Sequence, residues 1–213
     1  MAGQSEATSD VRGFAIALEG PCSAGKTTLG RSLMSSLGDQ GSHYVVDYCD
    51  HVGGGRHLPP PVPASHAEEE AALNKFLYIE WERYATARRT SPGLLLVDRS
   101  VETLVAHCRG LTALTGVDYK TLVRRILNRS TLAVWPRAVL YLDVPTDVVR
   151  VRGARKFSAD SVFMNEKFND GLRSYFVSRR RSVPVVFLDA TKSREDLHAD
   201  AMSNINRLLP SPR

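Results

Sequence analysis

Residues 20–27 read Gly20-Pro21-Cys22-Ser23-Ala24-Gly25-Lys26-Thr27, which meets the pattern G-x-x-x-x-G-K-[ST] at every fixed position. This stretch constrains the fold more than any other, because it works only between a buried strand and the first turn of a helix. Both flanks comply. Phe14-Ala15-Ile16-Ala17-Leu18 is an apolar run suited to a buried parallel strand. Leu29, Leu33 and Leu37 follow at helical spacing. Gly20 and Gly25 admit backbone conformations that a side chain would block. Successive N–H groups then form a nest for phosphate oxygens at the positive end of the helix. Lys26 adds a point charge for the outer phosphates, and the Thr27 hydroxyl is placed to ligate the magnesium ion that accompanies a nucleotide.

The bulk of the chain sets bounds on the rest. A length of 213 residues, 43% hydrophobic, supports one full core. Residues 1–12 read as a disordered tail and 13–209 as one domain; residues 1–10 are small and polar and lack the apolar run of a signal peptide. No apolar stretch approaches a membrane span. Cys22, Cys49 and Cys108 are odd in number and far apart, which argues against a disulfide framework or a zinc site and suits a reducing cytoplasm. The formal charge of +5 fits a polyphosphate ligand, and no nucleic-acid-binding signature accompanies it.

Further along, Tyr44-Val45-Val46 predicts a second strand that ends at Asp47-Tyr48-Cys49-Asp50. A long loop with Gly53-Gly54-Gly55-Arg56 and Pro59-Pro60-Pro61-Val62-Pro63 follows. It leaves the carboxyl end of a strand, where parallel sheets bind ligands, so it is read as part of an acceptor site. Glu68 to Arg89 predicts one long helix with Leu73, Phe76, Leu77 and Tyr84 on its apolar stripe. Trp81 and Arg83 fall off that stripe; either they face a pocket or, the commoner fate of a lone aromatic, Trp81 packs under a neighbouring helix.

After the break at Ser91-Pro92-Gly93, the run Leu94-Leu95-Leu96-Val97 predicts a third strand, ending in Asp98-Arg99-Ser100. An acid at that point is the second part of a phosphate-loop site and holds magnesium directly or through water. Arg99 would reach phosphate, and Ser100 caps the next helix. Helices are predicted over 101–114 and 119–132. A fourth strand covers Ala138 to Leu142, and Thr146 or Asp147 opens another helix. That helix runs into Arg150-Val151-Arg152-Gly153-Ala154-Arg155-Lys156. Arg152 and Arg155 share a face there. The run reads either as a lid bringing cations to the transferring phosphate, hinged at Gly153, or as a solvated basic face. Phe157 to Arg181 is predicted to be largely helical, Val185 to Leu188 is a fifth strand, and Ser193 with Asp196 marks the start of the closing helix.

The phosphate loop preceded by Glu19, the Asp98-Arg99-Ser100 triplet, Leu140-Tyr141-Leu142-Asp143-Val144-Pro145, the arginine run from Arg150 and Phe187-Leu188-Asp189-Ala190 occur in one order. Taken together they resemble the thymidylate kinase and deoxynucleoside kinase superfamily of P-loop kinases, over roughly Phe14 to Leu209. The resemblance implies an α/β, three-layer P-loop NTPase fold: a five-stranded parallel sheet flanked by helices, with a short helical lid at about 150–162. It implies ATP and Mg²⁺, with the ATP phosphates held by Gly20, Pro21, Cys22, Ser23, Ala24, Gly25, Lys26, Thr27 and Thr28. Asp98 resembles the magnesium-linked acid, Arg99 the phosphate-binding arginine, and Arg152 and Arg155 the lid arginines. Asp189, Ala190, Thr191 and Lys192 would lie beside the adenine, mostly through backbone atoms. In the nucleoside kinase branch an acid soon after the second strand takes the acceptor's proton; Asp47 and Asp50 are the candidates, with Asp50 preferred. Relatives of this type are commonly dimers.

Two departures bear on the acceptor. Thymidylate kinases carry Arg-Glu-Pro-Gly after the second strand, and deoxynucleoside kinases a Glu-x-x-x-x-Trp segment. This chain has Asp50-His51-Val52-Gly53-Gly54-Gly55-Arg56 instead. The sequence therefore predicts a phosphotransferase that moves the ATP γ-phosphate to a nucleoside or nucleoside monophosphate, with Lys26, Arg99, Arg152 and Arg155 around the moving group. A kinase of an antibiotic or sugar hydroxyl is the alternative. A regulatory NTPase ranks lower, since no Asn-Lys-x-Asp segment or Leu-Ser-Gly-Gly-Gln signature is present.

Overall fold

Alternation along the central strands decides the layers. In β1 (Phe14–Glu19) and β3 (Leu94–Asp98), Ile16, Leu18, Leu94 and Leu96 face one apolar cluster, while Ala15, Ala17, Leu95 and Val97 face the opposite side. The computed structural model describes residues 14–38, 41–90 and 93–209. The tail predicted at 1–12 lies outside these, as does the break predicted at Ser91 and Pro92. β2 (Ser42–Val45), β4 (Ala138–Asp143) and β5 (Val185–Asp189) complete a five-stranded sheet in the order β2-β3-β1-β4-β5, every pair parallel. With both faces covered, the inner strands β1, β3 and β4 are largely apolar, as buried parallel strands must be, while the edge strand β2 begins with the half-buried Ser42 and His43.

On one face lie α1 (Lys26–Leu37) and α9 (Arg194–Leu208), which bury Leu29, Leu33, Leu197, Ala201 and Ile205 against the sheet. On the other lie α3 (His66–Arg83), α5 (Val101–Thr115), α6 (Tyr119–Arg129) and α8 (Glu166–Arg179). The predicted caps form: the Ser100 hydroxyl accepts from the Glu102 N–H, and the Ser193 hydroxyl from the Asp196 N–H.

Several boundaries differ from the sequence reading. The long helix predicted to Arg89 ends at Arg83; fully buried Tyr84 is its cap, and α4 (Ala85–Thr90) follows. Trp81 is 41% exposed, with its ring beside that of Tyr78. Between β2 and the glycine–proline loop the chain forms α2 (Tyr48–His51), and the loop itself holds a tight turn over Gly55–His57. His107 on α5 donates to the Pro61 carbonyl at 2.8 Å and so fixes the proline end of the loop. The stretch predicted helical from Phe157 is a run of turns as far as Met164, and α8 starts only at Glu166. α7 (Thr146–Gly153) carries the start of the arginine run. Gly153 has a packing reason: a Cβ there would lie 2.7 Å from Met164 Cε and 3.3 Å from Ser23 Oγ, so α7 rests directly on the loop after β1. Among the described residues no helix is long and apolar enough to cross a membrane.

Candidate active site

The site gathers at the carboxyl ends of β1, β2 and β3, where the chain leaves the sheet. After β1 the backbone takes positive φ at Gly20 (135°), Ser23 (61°) and Gly25 (102°). Gly25 precedes α1, and no side chain caps that helix, so its positive end faces the loop. The Lys26 ammonium turns back into the loop and donates to the carbonyls of Gly20 at 3.0 Å and Pro21 at 2.7 Å. Burial, and after it the Arg99 charge, push the Lys26 pKa down to about 8.

Thr27 Oγ1 donates to Asp98 Oδ2 at 2.6 Å, and Tyr44 Oη donates to the same oxygen at 2.9 Å. Asp98 is fully buried, and its Oδ1 has no hydrogen-bond partner in the structure. A buried, unpaired carboxylate oxygen beside a phosphate-loop hydroxyl is the donor set a hard divalent cation takes. Thr27 and Asp98, predicted separately as its holders, are thus brought together and fit the role.

Arg99 also has positive φ, 61°. Its Nε lies 3.0 Å from Asp47 Oδ2, and its Nη2 donates to Cys22 Sγ at 3.0 Å. It therefore joins the loop after β1 to the residue that follows β2. Asp47 caps α2 by accepting from the Cys49 N–H at 2.7 Å. Burial works against its charged form, but Arg99 first, then that N–H and Lys26, hold its carboxyl below the usual aspartate range. Asp50, the acid preferred from sequence, is exposed on the next turn, 3.6 Å from Arg31. The structure thus places Asp47, not Asp50, against Arg99.

Glu19 stands directly before the loop and is buried. Its carboxylate accepts from the Ser100 N–H and hydroxyl and from the Thr103 hydroxyl, tying the loop to the start of α5. Burial pushes its pKa up to about 7 against those three donors. Sequence reasoning noted Glu19 only as a flank; the signal was its position between a buried strand and the loop.

Arg152 and Arg155 are exposed, on either side of Gly153, where a Cβ would lie 3.3 Å from Ser23 Oγ. Beyond β4 and β5 a cleft of about 580 Å³ opens between Pro21, Val144, Thr146, Arg173, Phe187 and Thr191. Asp189 Oδ1 accepts from the Thr191 N–H at 2.9 Å, and the Ala190 N–H donates to the Asp143 carbonyl at 2.9 Å. Two backbone donors of the segment expected beside a base are thus engaged within the protein.

The chain is 28% identical over 221 residues to a thymidylate kinase of Oenococcus oeni, covering 93% of this chain and 97% of that protein. It is 23% identical over 221 residues to a thymidylate kinase of Geobacillus thermodenitrificans, covering 95% and 94%. No family model matches the chain. A deoxyadenosine kinase from M. mycoides, solved with dCMP and a flexible dCDP bound, superposes with a TM-score of 0.67 at 16% identity, over 91% of this chain and 100% of that one. The same enzyme with bound dATP gives 0.63. The chain is a P-loop kinase similar to the thymidylate kinases above. In this kinase the five-stranded parallel sheet and the helices on both of its faces are those the sequence predicted.

Proposed function

We propose that this kinase transfers the γ-phosphate of ATP to a hydroxyl of a nucleoside-like acceptor, with residues 13–209 acting as one domain and residues 150–162 as its lid. The contact between Asp47 and Arg99, 3.0 Å apart beside the phosphate loop, carries this reading. A hydroxyl acceptor must lose a proton as it attacks, and a carboxylate held ionised at that position accepts it. Arg99 orients the carboxylate and offers its remaining donors to phosphate oxygens.

The loop from Gly20 to Thr28 binds the triphosphate through backbone N–H groups and the positive end of α1. On binding, Lys26 exchanges its two carbonyl partners for phosphate oxygens. Arg152 from the end of α7 and Arg155 from the turn after it close over the phosphates and exclude water, while the segment from Asp189 to Thr191 borders the base. Magnesium would be held by Thr27 and Asp98; when bound it would neutralise phosphate charge. Most of the rate enhancement then comes from positioning and charge neutralisation rather than from covalent chemistry. The M. mycoides deoxyadenosine kinase, which holds dATP and dCMP in its structures, supports nucleotide-type ligands.

A second reading, transfer to a nucleoside monophosphate, is favoured by the full-length likeness to thymidylate kinases. A phosphate acceptor is already ionised, so Asp47 would then be dispensable and Arg99, with Arg56, would clamp it. The test is Mg·ATP turnover with thymidine, deoxyadenosine, dTMP, dCMP and small hydroxylated metabolites. Rapid hydrolysis without any acceptor would overturn both readings.

A further inference from the structure

We propose that Arg83 is a positioning residue of the transfer site: its guanidinium bridges the carboxyl ends of β2 and β3 and sets where Asp47, Asp98 and Arg99 stand relative to one another. Pairing between β2 and β3 stops at Val45 and Val97. The residues that matter lie one or two positions further on, where the β2–β3 ladder no longer ties the two chains together, although β1 still pairs with β3 at Leu18 opposite Asp98 and takes the Arg99 N–H on the Leu18 carbonyl. Arg83 occupies that gap. Its Nε donates to the Val46 carbonyl at 2.7 Å, and its Nη2 donates to the carbonyls of Asp98 at 2.7 Å and Arg99 at 2.8 Å.

The fork is itself fixed. Nη1 donates to Glu80 Oε2 at 2.8 Å, one turn earlier on α3, and the Tyr48 hydroxyl donates to the same oxygen at 2.8 Å. The guanidinium lies 4.0 Å over the Tyr48 ring. Tyr48 follows Asp47 on α2, so the arginine reaches Asp47 from both sides in sequence. All three side chains are buried, so the charge is neutralised by Glu80 and not by water. Arg83 touches no reacting atom; it acts through carbonyls next to groups that do. The arrangement also holds Arg99 in its left-handed conformation, which a bulky residue adopts only when its surroundings impose it.

This inference rests on the reading of Asp47 and Arg99 as transfer-site groups, and the experiment separates the two. Arg83→Lys keeps the charge but replaces a rigid fork with a point donor that cannot span three carbonyls. With Mg·ATP and deoxyadenosine or dTMP as probes, kcat is expected to fall by about tenfold or more while KM for ATP stays within about twofold, in protein that still melts cooperatively. A purely structural role would lower the melting temperature and leave kcat per folded site unchanged.

The second readout needs no turnover. The ¹³C-carboxyl titration of Asp47 in the free protein is followed in wild type and variant. The groups acting on that carboxyl are Arg99 beyond β3, Lys26 on α1, Arg83 on α3, Tyr44 on β2 and Cys49 on α2. Arg83→Lys changes none of their charges, so a rise of the Asp47 midpoint by about one unit reports that Arg99 has moved away. If Arg83→Lys does not fold, Tyr48→Phe, which frees Glu80 and the fork on one side, is expected to shift both readouts in the same direction by a smaller amount. An Asp47 midpoint and a kcat unchanged in the folded variant would overturn the proposal. A wild type that phosphorylates no acceptor would overturn only the reading beneath it, since the titration still decides the clamp.

Discussion

Thr27 and Asp98 are separated by 71 residues in sequence and by 2.6 Å between their side-chain oxygens. The Asp98 oxygen that does not take part in this contact is buried without a partner. Asp98→Asn keeps an acceptor for Thr27 and Tyr44 but removes the charge. It is expected to lower kcat by at least about a hundredfold and to raise the magnesium concentration needed for half-maximal turnover, with little change in melting temperature. Turnover at varied magnesium, with thermal melting alongside, checks this.

Asp47 and Asp50 make opposite predictions. Asp47→Asn is expected to reduce nucleoside phosphorylation by about a hundredfold or more, within the range for loss of a general base. Asp50→Asn is expected to change it by less than about twofold, because its carboxylate is exposed and only loosely paired with Arg31. Steady-state rates for both variants decide between the acids. A large loss in Asp50→Asn alone would return the base to the position the sequence favoured. If Asp47→Asn retains transfer to dTMP, the acceptor is a phosphate.

Lys26 links nucleotide binding to pH. Its pKa in the free protein is about 8, against an ordinary value of 10.5. A bound triphosphate favours the charged amine, so binding above pH 8 takes up a proton. Calorimetric titrations near pH 8.5 should show heats that vary with buffer ionisation enthalpy in the direction of uptake, and affinity should decline as pH rises further. Unfolding does not account for that decline. Between pH 8 and 10.5 the unfolded chain binds more protons at this residue than the native one, so this group's contribution to stability rises with pH. Lys26→Ala should fold, abolish the proton uptake and abolish transfer.

Two loop glycines separate crowding from strain. A Cβ at Gly20 would lie 2.7 Å from the Leu142 carbonyl oxygen, at φ 135°, whereas one at Gly25 would meet nothing within 4 Å, at φ 102°. Gly20→Ala is expected to cost about 1–3 kcal/mol of overpacking beyond its strain, and Gly25→Ala strain alone. Urea denaturation should therefore rank Gly20→Ala as the less stable. Both should lose triphosphate affinity, because the loop's N–H groups are displaced.

The phosphate loop, the five strands and the acid ending the third of them were legible because each depends on neighbours close in sequence. Periodicity of two, periodicity of about four and a glycine-spaced loop are local signals, and a parallel sheet follows from strands alternating with helices. The same locality explains the misreadings. An apolar stripe does not register that Tyr84 ends a helix by turning into the core. Nor does a glycine in a basic run reveal that it packs closely, as Gly153 does, where an added Cβ would lie 2.7 Å from Met164 Cε.

Chemistry at the acceptor end was decided only by the folded chain. Asp47 and Asp50 are both acids in the same short segment, and nothing local distinguishes them. One caps α2 and faces Arg99 across the strand ends, while the other points to solvent one turn later. Arg83 is a charged residue off an apolar stripe until α3 is laid against the sheet, where its donors meet carbonyls from two strands. The sequence alone determined that this protein grips a phosphate chain, since a nest of backbone N–H groups is built from consecutive residues. Tertiary structure decided which acid and which arginines stand together beside the phosphate loop, because those contacts join residues 37 to 52 positions apart, and their geometry exists only once the strands are in register.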